Sequence, residues 1–152
     1  MSNLKEMKYL LLDLDGCVYG KHNNYPLEKV FGQVSKRMTK FISERLKINL
    51  DAAKELQKNY FYKYNTSLNG LMIHHDIPPE EFLSYVHTID LTFMKQDKIM
   101  RNELEQLNME KYIFTNGSAE HAKSIFKLPF FNTVNSSNYR SSCIINCFFT
   151  TW

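Results

Sequence analysis

Apolar positions recur along this chain in two rhythms, and the switch between them marks out its elements. The first apolar run, Tyr9 to Leu12, is four residues long and passes directly into Asp13, Leu14, Asp15 and Gly16. A short apolar block closed by glycine predicts a buried strand of a parallel sheet, because a helix needs more length. From Leu27 the rhythm turns helical. Leu27, Val30, Phe31, Val34, Met38, Phe41, Ile42 and Leu46 follow at intervals of three and four, with Lys29, Lys36, Arg37, Lys40 and Glu44 on the wet side. Pro26 suits a first helical turn, so the pattern predicts an amphipathic helix of about six turns.

Three more helices follow from the same reasoning. Asp51 can cap one that carries Leu56, Tyr60, Phe61 and Tyr64. Leu68, Leu71, Met72 and His75 predict a short one, stopped by Pro78 and Pro79. The next begins there, with Glu80 and Glu81 favouring the positive end of its dipole and Phe82, Tyr85, Val86 and Ile89 inside. Between Lys21 and Thr92 the chain therefore reads as helical throughout, ~70 residues and too long for an ordinary crossover between parallel strands. An inserted helical cap accounts for it. Its aromatics are expected to form its own core, and the His74–His75 pair, with no acidic or histidine neighbour at ligand spacing, to serve packing rather than metal binding.

Asp97 can cap a helix bearing Ile99, Met100, Leu104 and Leu107, which leads to a second strand over Lys111–Phe114. That strand runs into Thr115-Asn116-Gly117-Ser118, and a helix with Ala122, Ile125 and Phe126 starts at once. From Leu128 to Trp152 the pattern fades, although Cys143 to Phe149 could form one strand. The fold class predicted is α/β: a parallel sheet with an inserted α-helical cap. Its core comprises 1–20 and 93–127, the cap 21–92, and 128–152 is an atypical tail.

Composition narrows the function classes. Apolar residues at 43% and charged residues at 23% are ordinary for a soluble globular protein. A net charge of +3, scattered along the chain, does not predict a nucleic-acid partner. No run of about 18 apolar residues predicts a membrane span, and no signal-peptide pattern is present, so a cytoplasmic location is the expectation. Cys17, Cys143 and Cys147 fit a reducing compartment better than a disulfide framework. Charge is distributed unevenly: all 16 acidic residues lie at or before Glu120, and after Lys127 only Arg140 is charged.

Asp13 and Asp15 stand two apart where the first strand leaves the sheet, which places them on one face at the edge where α/β folds bind ligands. The spacing also admits a strand running into an acidic turn. The second strand's Thr-Asn-Gly-Ser exit, followed by a helix N-terminus, is an anion-binding arrangement, a weak signal alone. Together the two strand ends describe a phosphate site. A carboxylate can attack phosphorus, a second can protonate the leaving alcohol and later deprotonate water, and Thr115 and Asn116 can bind phosphoryl oxygens. Each like-charge pair at about 4 Å costs roughly 4 kcal/mol near a protein surface, so such a site calls for a cation, for which Mg²⁺ is suited.

The stretches DLDGCVY, from Asp13, and YIFTNGSAEHA, from Tyr112, resemble the first two motifs of the haloacid dehalogenase-like hydrolases. The cap stretch YKYNTSLNGLMIHHDIPPEEFLSYVH is similar to that of their pyrimidine 5'-nucleotidase-type branch, and the resemblance covers about Lys8 to Lys127. It implies a phosphomonoester hydrolase working through an aspartyl-phosphate. Asp13 would be nucleophile and Mg²⁺ ligand, and Asp15 the general acid/base with its backbone carbonyl on the metal. Thr115 and Asn116 would bind the phosphoryl group. The implied substrate is a small phosphorylated molecule, a nucleoside 5'-monophosphate, although that branch commonly has Arg where this chain has Asn69.

The resemblance also implies a third motif with a lysine and a fourth with paired acids, both following the second. Here no Lys follows Lys127 and no Asp or Glu follows Glu120. The resemblance therefore implies an incomplete, Rossmann-like parallel sheet with its inserted α-helical cap, in a truncated or frame-shifted copy whose in-frame sequence ends near Lys127, with 128–152 out of frame or poorly ordered. The alternatives it leaves are a catalytically dead fragment that binds phosphate or a protein, and an enzyme completed by a second chain.

Overall fold

The computed structural model describes residues 7–19, 27–94, 98–126 and 139–146. It is mixed α/β, with three strands and six helices among the described residues. The chain divides into two compact units: one formed by residues 1–28 and 91–152, the other by Lys29–Asp90.

The sheet unit contains β1 (Tyr9–Asp13), α5 (Lys98–Gln106), β2 (Glu110–Thr115), α6 (Ala119–Phe126) and β3 (Tyr139–Asn146). The strands lie in the order β1-β2-β3 and are all parallel. β1 and β2 pair without interruption from Tyr9 opposite Glu110 to Asp13 opposite Phe114. β2 and β3 pair through an irregularity between Lys111 and Ile113, then run Ile113 opposite Ile144 to Thr115 opposite Asn146. Part of the strand expected over Cys143–Phe149 is thus found, shifted toward the N-terminus; residues 147–149 lie outside the described residues, as does the expected cap Asp97.

The register explains which face is covered. Tyr9, Leu11 and Asp13 share a face with Glu110, Tyr112 and Phe114, while Lys111, Ile113 and Thr115 point the other way. Lys111, Ile113 and Thr115 are buried, together with Leu104 of α5 and Ala122 and Ile125 of α6. Lys111 survives burial because its Nζ donates to the carbonyls of Leu107 (2.7 Å) and Met109 (3.1 Å), just past the end of α5. The opposite face is open: Tyr9 and Leu11 are each 60% exposed and Phe114 38%, with the Tyr9 and Tyr112 rings 5.8 Å apart across it. The expectation of a strand buried on both faces is therefore corrected. Among the described residues β1 is an edge strand with one wet face, and Leu11, although apolar, sits on it.

The helical unit is built from α1 (Leu27–Leu46), α2 (Leu50–Tyr64), α3 (Ser67–His75) and α4 (Pro79–Val86). It is shorter at both ends than the 21–92 stretch marked by sequence. Leu27, in the first turn of α1, belongs to the sheet unit and packs by Gly16. The core of the helical unit gathers Val30, Val34, Phe41 and Ile42 of α1 with Leu68, Leu71, Phe82, Leu83 and Val86. Phe41 meets Phe82 and Tyr85 edge-on, at 5.3 Å in each case. Arg37, expected in solvent, lies over the Tyr85 ring and donates through Nε to the Tyr85 carbonyl at 2.7 Å. Phe31, expected inside, is exposed, as are Phe61 and Ile99. Their spacing suited a buried stripe, but α1, α2 and α5 each bury a narrower one.

Two caps hold α2 and α3. The carboxamide oxygen of Asn49, not the expected Asp51, accepts from the Ala52 N–H at 2.8 Å. Thr66 accepts from Asn69 in the same way at 3.0 Å. α2 and α3 then lock through aromatic rings: Tyr60 stacks on His74 and its hydroxyl meets His75 Nε2 at 2.8 Å. Among the described residues, no helix is long and apolar enough to cross a membrane.

Candidate functional site

The carboxyl ends of β1 and β2 open onto the same edge of the sheet, because the two strands are parallel and in register to Asp13 and Phe114. The turn leaving each strand builds the site. After Asp13 the chain turns sharply, the Asp13 and Leu14 carbonyls both accepting from the Val18 N–H at 3.2 Å. Gly16, at φ +83°, occupies the left-handed region this turn requires. Leu14 and Val18 anchor the turn in the core, and the chain returns so that the Tyr19 hydroxyl donates to Oδ1 of Asp15.

After Thr115 the exit is equally constrained. The Gly117 N–H donates to Thr115 Oγ1 at 2.9 Å, closing a small turn. Ser118 then caps α6: its Oγ accepts from the His121 N–H at 3.0 Å. His121 is consequently the third residue of α6, 2% exposed, with its ring brought back toward β1.

These two turns converge on Asp15. Oδ2 accepts from the Thr115 hydroxyl at 3.2 Å, and Oδ1 accepts from Tyr19 and lies 3.4 Å from His121 Nε2. With its proton on Nε2, the imidazole is a third donor to the carboxylate. Burial works to raise the Asp15 pKa, but the bonds from His121, Tyr19 and Thr115, with the charge of His121, outweigh it and hold the carboxyl below its ordinary 3.8. The same pairing acts on Tyr19 in reverse. Burial, then the charge of Asp15 and the bond to it, then the charge of Asp13, push its hydroxyl far above the usual phenol range. Tyr19 thus stays protonated and remains a donor.

Of the four residues singled out by sequence, Asp15 and Thr115 are in direct contact. Asp13 and Asn116 are exposed and stand at the ends of the adjacent strands, Asp13 one register position before Thr115. The alternation that would have set Asp13 and Asp15 side by side stops at Asp13, where the strand ends. Asp13 therefore faces solvent, whereas the side chain of Asp15 is only 21% exposed. Sequence reasoning missed Tyr19 and His121. Each lay within a quoted motif; Tyr19 reaches Asp15 through the turn they share, four residues apart, and His121 through the closing of the second turn on the first.

Among the described residues, no three His, Cys, Asp or Glu side chains gather where they could hold a metal ion. Mg²⁺ does not require such a cage, since it keeps several waters and takes one or two carboxylates plus phosphate oxygens. An exposed carboxylate at Asp13 is a hard-oxygen donor of the right kind, while the Asp15 carboxylate is fully engaged by its three partners. The described residues fit a lightly held Mg²⁺ and do not by themselves form a tight cage. Compared with models of known protein families, the chain matches none.

Proposed function

We propose that the sheet unit carries a phosphoryl-transfer site and that the chain is a phosphomonoester hydrolase of the haloacid dehalogenase-like type. One observation supports this above the others: Thr115 reaches Asp15 across 100 residues of sequence, joining the two motif-bearing strand ends into one polar site. The proposed substrate is a small phosphate ester, a nucleoside 5'-monophosphate, by the likeness of the cap sequence.

In this reading an Asp13 carboxylate oxygen attacks phosphorus, and the bond from phosphorus to the ester oxygen breaks. The leaving oxygen takes a proton from Asp15. Water then attacks the aspartyl-phosphate, gives a proton to Asp15 and releases phosphate, restoring Asp13. Mg²⁺, held by the Asp13 carboxylate and the Asp15 backbone carbonyl, would supply the positive charge that lets two anions approach. Thr115 and Asn116 would bind the phosphoryl oxygens. As the Thr115 hydroxyl turns from Asp15 Oδ2 to phosphate, one donor that keeps the carboxylate ionised is lost, and the phosphate charge opposes ionisation further. Both changes favour the protonated Asp15 that the first step needs.

A second reading is a phosphate-binding module without turnover, or one completed by another chain. It is favoured by the three donors that hold the Asp15 carboxyl ionised, whereas the first step of hydrolysis needs it protonated. The deciding experiment is hydrolysis of p-nitrophenyl phosphate by the purified chain with and without Mg²⁺. Mg²⁺-dependent turnover that disappears in Asp13→Asn supports the hydrolase. Inorganic phosphate binding by calorimetry without turnover supports the module.

A further inference from the structure

We propose that His121 is a positioning residue for Asp15, fixing which carboxylate oxygen faces the phosphoryl site. The inference rests on the hydrolase reading above. A carboxylate turns easily about its Cβ–Cγ bond, and an acid that turns presents its proton in the wrong place. Here Oδ1 is held from two directions. Tyr19 reaches it from four residues along the same turn, and His121 from the first turn of α6, 106 residues further on. Oδ2 is then the oxygen directed at Thr115, the residue proposed to bind phosphate.

His121 is suited to this because its own freedom is small. It is 2% exposed, and its backbone N–H is held by Ser118, itself 5% exposed. An imidazole has only two side-chain torsions, so burying it fixes the nitrogen. At 3.4 Å the contact lies just beyond the usual range of an N–H···O bond, so His121 adds to the hold that Tyr19 has on the same oxygen.

The test compares two esters that differ in their need for an acid. Phenyl phosphate has a poor leaving group that must be protonated; 2,4-dinitrophenyl phosphate releases a stable anion without help. With Mg²⁺ and the full chain, His121→Ala is expected to lower kcat/KM, which reports the step up to phosphoryl transfer, by about 10²-fold on phenyl phosphate, the scale of a misplaced general acid. On the dinitrophenyl ester the expected loss of kcat/KM is under about threefold, since its leaving group needs no acid in that step. The ratio of the two rates does not depend on how much of the variant is folded. His121→Gln, which can still offer an N–H, is expected to recover most of the ratio, and Tyr19→Phe to shift it in the same direction as His121→Ala. Equal losses on both esters in His121→Ala would overturn the positioning role and leave the hydrolase reading standing. A wild-type chain inert toward both esters overturns the hydrolase reading, and this inference with it.

Discussion

The hydroxyl of Thr115 donates to Oδ2 of Asp15 at 3.2 Å while its oxygen accepts from the Gly117 N–H at 2.9 Å. One 1%-exposed side chain therefore ties the end of β2 both to its own turn and to the turn after β1. Replacing Thr115 with Val keeps the volume and removes the oxygen. The Gly117 N–H then loses its acceptor inside the protein, which costs about 1–3 kcal/mol. Thr115→Val is expected to lower the urea midpoint accordingly, and Thr115→Ser to keep most of the stability. Equal midpoints for Val and wild type would show that the Gly117 amide finds water instead.

The depressed pKa of Asp15 makes a signed prediction. A carboxyl whose folded pKa lies below its unfolded value contributes stability that is present above the unfolded value, 3.8, and is lost as pH falls through the folded one. Other carboxylates titrate in the same range, so the informative quantity is a difference. The stability gap between wild type and Asp15→Asn, read from urea titrations, is expected to be constant above pH 5 or so and to shrink below about pH 4. A gap that widens on acidification would mean that burial dominates over the three donors.

Caps were only partly legible. Asn49 and Asp51 both belong to the residue types that cap helices, and they stand two apart, so local chemistry does not choose between them. The backbone chooses: Asn49 is extended and its side chain reaches Ala52, which places Asp51 already inside the first turn. Asn49→Ala is expected to cost about 1 kcal/mol. Asp51→Ala should cost no more than a few tenths, the share of a first-turn acid in the helix dipole. The reverse order, measured by thermal or chemical unfolding, would restore Asp51 as the cap.

Periodicity carried the elements well where one face was decisive. The stripe from Leu27 to Leu46 runs the length of α1, and the apolar run from Tyr9 located β1. It failed where burial depends on what lies opposite. Phe31 and Ile99 fit their helical stripes, yet 49% and 77% of their surfaces are exposed. The site shows the same division. Asp13, Asp15, Thr115 and Asn116 could be found from strand ends, but Tyr19 and His121 could not. Their meeting at Asp15 needs two turns, about 100 residues apart, to close against each other.

Gly70 offers a test in which two effects compete. Alanine in place of glycine within a helix normally stabilises by about 1 kcal/mol. A Cβ on Gly70, however, would lie 2.3 Å from Cγ and 2.5 Å from Cβ of Tyr60, too close to the α2 backbone for the ring to swing clear. Overpacking of this kind costs about 1–3 kcal/mol, so Gly70→Ala is expected to be neutral to destabilising. In a Tyr60→Ala background the obstacle is gone and the same change should stabilise. A double-mutant cycle by urea unfolding measures the reversal, and equal effects in both backgrounds would rule out the contact.

The two faces of the sheet make the last prediction, because register alone separates them. Leu11 and Ile113 lie on adjacent strands, one position out of register, and so point to opposite sides. Leu11 is 60% exposed and Ile113 6%. Threonine suits a strand in either place, so β propensity cancels and burial decides. Ile113→Thr loses buried hydrocarbon and brings a hydroxyl into an apolar site, an expected cost of about 2–4 kcal/mol. Leu11→Thr should stay within about 0.5 kcal/mol, as surface substitutions do. Parallel sheets are ordinarily covered on both faces, so the comparison also asks whether the Tyr9–Leu11–Phe114 face stays open in solution. A cost at Leu11 approaching that at Ile113, and growing with protein concentration, would show that the face is covered by association of chains. A concentration-independent loss of that size would place the cover within the chain itself.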